Sequence, residues 1–434
     1  MGRWFTLALA HIYLQSLILM EQFKLVRYVL LFLLALPVSF ALAQKPLKLH
    51  VKNPSGTSRN DVLVKFAYAD FQKLRPGLSY SQVEAVSGNT SLPFQWNDSN
   101  QDGQPEELAI LTDLPANGRK MIFIRPLKNK PLPVFEKRTQ AELSHKVGGA
   151  WEGRVYKGGT FQNVSSMRVP PEHTDHSFFI RYEGPGWESD KVGYRFYLDW
   201  RNATDIFGKT GSKMVLQDVG QDGFDSYHEY SAWGMDVLKV GESLGIGSLG
   251  FWNQGKVQRV DVTDSLYCEI ALNGPVESMV RTVYLGWKAG NTKTKVTSEL
   301  SIAAGSHLTH HLVHLSSPLD NLCTGIVKLP DTELFWSTEE SGGEWGYMAT
   351  FGKQSLNNDM LGMAVFYRIA GLKEKTADAH SHVVVLKPES NQLEYYFLGA
   401  WEKEPNGFKT KASFQNYLET LLERLNKPVV LSIN

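Results

Sequence analysis

The sequence predicts a mostly β protein, a sandwich or barrel larger than one immunoglobulin-like module. Three observations predict it. Short runs of alternating apolar and polar residues recur along the chain, at 47–52, 121–126, 177–183 and 191–199. Gly, Asn, Asp and Pro separate these runs, and most of the 37 glycines fall between them. Convincing helical periodicity occurs once, near the C-terminus. The 434 residues suffice for a large core and for two or three domains.

The elements follow in chain order. Residues 20–43 (MEQFKLVRYVLLFLLALPVSFALA) have a charged start at Lys24 and Arg27, an apolar run over 28–40, and a small-x-small site at Ala41-Leu42-Ala43. This is the pattern of a secretory signal peptide. The run is shorter than the roughly 20 residues a membrane span needs. Met20 reads as the better start, so residues 1–19 are expected to be an over-called extension. The expected mature chain therefore begins at Gln44, is exported to the periplasm, and keeps no stable membrane insertion after processing. Residues 44–130 are expected to form a small N-terminal β-domain. The Lys- and Pro-rich stretch around 131–146 reads as a linker, with a short helix near 139–145. Residues 147–434 then form one large β-domain. Its closing helix has Ser413 as cap, one apolar face from Tyr417, Leu418, Leu421, Leu422 and Leu425, and Pro428 beyond its end.

Composition excludes several classes. At 42% hydrophobic and 21% charged, the chain is not disordered or collagen-like. Lys plus Arg equals Asp plus Glu, at 45 each, so no global basic field exists and no nucleic-acid partner is expected. Two cysteines, Cys268 and Cys323, cannot make a disulfide framework or a four-thiolate zinc site. Their spacing does not say whether they pair, and nothing in the sequence speaks to oligomeric state.

Four motifs carry candidate chemistry. Asp98-Ser99-Asn100-Gln101-Asp102-Gly103 begins like a calcium loop, with oxygen ligands at alternate positions. The twelfth position of that frame is Ala109 rather than Glu, which favours a polar turn. Calcium is the one cofactor the sequence admits, and no metal site is assigned. The glycine-rich stretch 241–250 lacks a βαβ context and reads as a turn region. In SHLTHHLVHL (306–315), strand alternation puts His310 and His314 on one face with Leu312 and turns His311 to the other. No HExxH pattern is present there. His173 and His176 (HTDHS) are similarly ambiguous.

Residues 177–209 are the richest stretch. If 177–183 is a strand, Phe179, Arg181 and Glu183 share a face. On the next strand Arg195, Tyr197 and Asp199 share a face opposite Tyr194, Phe196 and Leu198. A solvated sheet face with ion pairs explains such a pattern. So does a sugar-acid cleft, because Trp187, Tyr197, Trp200 and Phe207 interleave with the charges. Aromatic rings stack on sugar CH faces, and Arg grips a carboxylate through two donors. His228, Glu229, Tyr230, Trp233, Asp236 and Lys239 add a second polar-aromatic cluster.

The stretch EGPGWESDKVGYRFYLDWRNATDIFGK (183–209), followed by SAWGMDVLKVGESLGIGSLG (231–250), resembles an exported bacterial family catalogued as a domain of unknown function. That family includes the ulvan-oligosaccharide dehydratases of marine polysaccharide degraders. The resemblance extends from NDSNQDGQPEELAIL (97–111) to FLGAWEKE (397–404). It implies a galactose-mutarotase-like supersandwich for the large domain. It further implies removal of water across C4–C5 of a non-reducing-end glucuronic or iduronic acid linked to sulfated rhamnose. The product is a 4,5-unsaturated uronyl end, the substrate of an unsaturated-glucuronyl hydrolase. The resemblance carries no catalytic assignment and leaves open other acidic polysaccharides such as pectins.

Such a reaction needs a cation on the carboxylate, a base near C5 and a proton for the leaving hydroxyl. Side-chain type nominates Arg195 or Arg201 for the first task, His176 or His228 for the second, and Tyr194 or Tyr197 for the third. Arg181, Glu183, Trp187, Asp199, Trp233, Asp236 and Lys239 are the candidate substrate contacts. The expected partner is an acidic oligosaccharide. A polysaccharide lyase uses the same C5 proton abstraction, and a mutarotase-type epimerase shares the implied fold. The contrasting class is an exported carbohydrate-binding protein without catalysis.

Overall fold

A computed structural model of the chain describes residues 45–127, 131–338 and 343–433. The expected leader at 20–43 lies outside the described residues. Near the start, Leu47–Lys52, Arg119–Pro126, Val83–Ser87 and Thr90–Ser91 lie in one sheet, and Arg59–Ala67, Glu107–Leu114 and Phe94–Asn97 in another. Alternate residues of these strands, among them Leu47, Leu49, Val51, Val64, Phe66, Ile110, Ile122 and Ile124, make a core of their own. The last strand, Val430–Ile433, returns to pair with Leu47–Lys52, Leu431 opposite Val51.

The rest of the chain is a β-sandwich, as the fold class predicts. A nine-stranded antiparallel sheet centred on Glu277–Ala289, Thr292–Ala303, Thr309–Leu315 and Gln392–Trp401 forms one layer. Two five-stranded sheets form the other. One contains Lys256–Arg259, Gly250–Asn253, Leu322–Val327, Ser381–Leu386 and Leu372–Ala377. The second carries the candidate site. All three contribute to one apolar cluster that includes Trp187, Tyr194, Val280, Trp287, Val313, Ile326, Tyr395, Phe397 and Trp401. The outer face of the nine-stranded sheet is covered by the helix Lys411–Asn426, whose Phe414, Leu418, Leu421 and Leu422 pack on Tyr347, Phe351, Phe366 and Leu398. Among the described residues, no helix is long and apolar enough to cross a membrane.

Local expectations are met unevenly. The cap of the C-terminal helix is Thr410, whose Oγ1 accepts from the Ser413 N–H at 3.2 Å, three residues before the expected cap. No helix forms at 139–145. Thr139–Glu142 is instead a strand buried on both faces and paired with Gly186–Ser189, and Ser144–Glu152 begins a hairpin with Val155–Asn163. Strand pairing with distant residues overrides a weak local preference there. The run 177–183 is not a strand either. Positive φ angles at His176 (56°), Phe178 (56°), Tyr182 (36°) and Glu183 (69°) break it, and Arg181–Glu183 is a 3-10 turn. Cys268 and Cys323 are separate buried thiols, and burial pushes both pKa values up. In Thr309–Leu315, His311 is buried and His310 and His314 are partly exposed, as alternation requires. In the loop at 98–103, Asp98 oxygens accept the N–H groups of Asp102 and Gly103, and an Asp102 oxygen accepts that of Gln104. That is the polar turn.

Candidate functional site

The site rests on the sheet Thr139–Glu142, Gly186–Ser189, Val192–Phe196, Thr204–Lys209 and Gly234–Asp236. Period-two alternation sorts its side chains. Ala141, Trp187, Tyr194, Ile206 and Met235 enter the sandwich core. Gln140, Glu142, Glu188, Arg195, Asp205, Phe207, Lys209 and Asp236 occupy the opposite face. This second face is polar and still buried, because residues 210–233 fold over it. Leu216 of that loop seats on Gly186 and Gly193, where an added Cβ would come 3.0 Å and 3.6 Å from its methyl carbons. Tyr182, Phe207, Leu216, Val219 and Tyr227 form a small apolar cluster beneath the loop. Glu188 fastens it. Its carboxylate accepts the N–H groups of Val215 (2.8 Å) and Leu216 (2.9 Å) and pairs with the ammonium of Lys209, both side chains fully buried.

Arg195 organises the polar layer. It lies opposite Asp205 in the sheet register and is 2% exposed. Its Nε donates to Asp205 at 3.2 Å, Nη1 to the Tyr227 hydroxyl at 2.9 Å, and Nη2 to Tyr197 at 2.9 Å and to Asp205 at 2.8 Å. Nη2 also reaches Asp236. The Tyr197 hydroxyl donates to Asp205. Burial raises the pKa of Asp205, and the negative charge of Asp236 raises it further. Arg201 lies 3.8 Å over the Tyr197 ring, grips Asp199, and comes within 3.0 Å of both Asp175 and Glu183. Burial disfavours ionised Glu183, but Arg201 and then Arg195 outweigh it and lower its pKa.

Two histidines border this layer. His228 ends a turn, Ser226–His228, and is about one-third exposed. Its Nδ1 lies 3.0 Å from the Phe224 carbonyl and its Nε2 3.4 Å from Asp236. Both nitrogens thus face acceptors, the arrangement an imidazolium satisfies. Burial works against that charge, but Asp236 outweighs it and the pKa of His228 is raised. His176 is half exposed, with Nδ1 2.8 Å from Asp175. Asp175 Oδ1 forms no hydrogen bond there, so the contact is one of charge alone. The Phe224 ring separates the two, 4.2 Å from His176 and 4.9 Å from His228.

Between Glu183 and Tyr227 lies a partly open hollow of about 30 Å³, enough for one water molecule or hydroxyl group. Its walls are Lys146 and Phe161 of the Ser144–Glu152/Val155–Asn163 hairpin, His176, Phe178, Tyr182 and Glu183 of the kinked segment, and Phe224 and Tyr227 of the covering loop. Glu183 is 3% exposed, and its Oε2 has no hydrogen-bond partner. The four positive-φ residues at 176–183 include His176 and Glu183 themselves. Such backbone costs about 1–3 kcal/mol per residue and is typical of ligand sites. Asp175, His176 and Glu183 also place potential metal-ligand atoms within 4.8 Å of one another. Arg201 already supplies a cation between the two carboxylates.

The structure sorts the residues nominated from sequence. His176, Glu183, Arg195, Tyr197, Asp199, Arg201, His228 and Asp236 come together. Arg195 is committed inward, with its donors spent on Asp205, Asp236, Tyr197 and Tyr227, so it is no free grip for a substrate carboxylate. Arg201 is likewise saturated. Tyr194 is not at the hollow. It is buried in the core, its hydroxyl donating to the His307 carbonyl and accepting from the Gly399 N–H. Trp187 is a core residue, fully buried and bonded to Thr309 Oγ1. Arg181 is buried against Glu142 and the Gln217 carbonyl, because the turn at 181–183 sends it away from Glu183. Trp233 packs edge-on against Phe207, and Lys239 is exposed on the far side of Asp236 in sequence. Sequence reasoning missed Asp205, Asp175, Tyr227 and Lys146. The first was legible as the strand partner of Arg195. Tyr227 adjoins a nominated histidine. Lys146 left no signal.

Residues 51–431 match the model of a family described as Domain of unknown function (DUF4861). The chain belongs to that family. A relative, "Uncharacterized protein P7" of Formosa agariphila, is 23% identical over 431 residues, covering 88% of this chain and 92% of the relative. Among solved structures, an alpha-mannosidase from Enterococcus faecalis V583 aligns with 90% of this chain at 9% identity and a TM-score of 0.46. A glycosyl hydrolase family 38 protein from Enterococcus faecalis aligns with 91% at 9% identity and a TM-score of 0.41. The chain spans 46% and 48% of the lengths of those two structures.

Proposed function

We propose that this DUF4861 member is an exported oligosaccharide dehydratase. It removes water across C4–C5 of a non-reducing-end uronic acid, glucuronic or iduronic, in ulvan-type oligosaccharides where the uronate is linked to sulfated rhamnose. The observation that carries the reading is the hollow: a histidine beside a carboxylate and a tyrosine line one water-sized space. His176 takes the C5 proton, with the Asp175 carboxylate beside its ring to stabilise the charge it gains. The C5–H electrons become the C4–C5 double bond as the C4–O bond breaks. Tyr227 protonates the departing oxygen, which leaves as water. Burial raises the Tyr227 pKa against the opposing charge of Arg195, so the phenol keeps the proton it must give. Tyr227 thus replaces Tyr194 and Tyr197 as donor. His228, whose pKa Asp236 raises, adds positive charge while protonated beside a site that must hold an anion.

The test is mass spectrometry of defined saturated oligosaccharides after incubation with the chain. Products one water lighter, of unchanged length and with an ultraviolet enol-ether band, support the reading. Shortened chains would replace it with a lyase, isomers without unsaturation with an epimerase, and binding without turnover with a carbohydrate-binding protein.

A further inference from the structure

Removing a proton next to a carboxylate builds negative charge on that carboxylate, so a cation must meet it. The arginines nominated for this task are unavailable, since Arg195 and Arg201 are each bound to internal carboxylates. Arg181 and Lys209 are also committed, to Glu142 and Glu188. We infer that Lys146 reads the substrate's acid group and determines its specificity, an inference that rests on the dehydratase reading.

Three observations point to Lys146. It lines the same hollow as His176, Glu183 and Tyr227. Among the described residues it forms no ion pair, whereas Arg181, Arg195, Arg201 and Lys209 are each paired with a carboxylate. It is also held in place. Its N–H donates to the Phe179 carbonyl at 2.9 Å, and its Nζ lies 5.3 Å above the centroid of Phe161. Glu183, on the same wall, is offset by Arg201 and Arg195 and so leaves Lys146 unneutralised. The compact ammonium suits one carboxylate at variable orientation, where a guanidinium would demand a planar fork. Phe161 beside it offers an apolar face for the sugar ring. As C5 loses its proton, the charge facing Lys146 grows, so the interaction strengthens toward the transition state.

The experiment compares wild type, Lys146→Met and Lys146→Arg. The substrates are a disaccharide with non-reducing-end glucuronate on rhamnose and its methyl ester, in which the charge is gone. For Lys146→Met, the preference for acid over ester in kcat/KM is expected to fall by about 10²-fold or more, the scale of losing one charge-stabilising group. Lys146→Arg should recover part of it. Calorimetry with free glucuronate reads recognition without turnover and should show weakened binding in Lys146→Met. An unchanged acid-to-ester ratio and unchanged glucuronate affinity, in a variant with wild-type circular dichroism, overturn the assignment. If wild type turns over neither substrate, the dehydratase reading fails, and weaker glucuronate binding by Lys146→Met still upholds Lys146 as the acid reader.

Discussion

Replacing Lys209 with Met tests how the catalytic loop is held. The ammonium is fully buried and pairs with Glu188, itself fully buried. Burial lowers the pKa of Lys209 despite Glu188, so the charge persists only through its partner. Removing it leaves Glu188 with two loop N–H groups, from Val215 and Leu216, and no counter-charge. Breaking a buried pair from one side costs about 3–5 kcal/mol, most of it the stranded charge. The double variant Lys209→Met/Glu188→Gln removes that charge while its amide oxygen can still accept the loop N–H groups. It should regain about 2 kcal/mol or more relative to Lys209→Met. Denaturant unfolding of the four proteins of this cycle gives the coupling energy directly. The loop carries Phe224, Tyr227 and His228, so hydrogen exchange over 215–228 should accelerate in the single variant and slow again in the double. A loss below about 1 kcal/mol for Lys209→Met, with unchanged exchange in the loop, would refute the view that this pair fastens the lid on the sheet.

Other expectations follow from the same geometry. Tyr227→Phe and His176→Ala should each cut formation of unsaturated product about 10²–10⁴-fold; Tyr227→Phe also leaves Arg195 Nη1 without its acceptor, at a cost of about 1–3 kcal/mol in stability, and wild-type rates in either variant remove that residue from the reaction. His228 has a raised pKa, so its contribution to loop docking is full below its unfolded value near 6.5 and is lost as pH rises through the higher folded value. Hydrogen exchange of the loop should therefore speed up on the alkaline side, and His228→Gln should flatten that limb. Glu183 has a lowered pKa, so its contribution is present above about 4.5 and lost as pH falls through the lower folded value. Thiol reagents should modify Cys268 and Cys323 only after unfolding, since both are buried and held as thiols; rapid labelling of the native chain would contradict their placement.

Much of the fold was legible because its causes are local. Alternation located Leu47–Lys52 and the core of Val192–Phe196, and heptad-like spacing located Lys411–Asn426. The same rule read correctly that Arg195 and Tyr197 share a face and that His311 opposes His310 and His314. Alternation failed at 177–183, where a run of strand-like residues is bent by four left-handed backbone positions. That failure separated Arg181 from Glu183 and put His176 and Glu183 on one wall.

What sequence alone determined is which side chains alternate along several strands, and that a dense set of Arg, His, Tyr and carboxylate groups lies between 173 and 236. Residue type and spacing suffice for that. Only the tertiary structure decided which of those groups are spent on one another and which face a hollow. A charge is free or committed according to its neighbours in space, and the neighbours of Arg195 and Lys146 come from segments far apart in the chain.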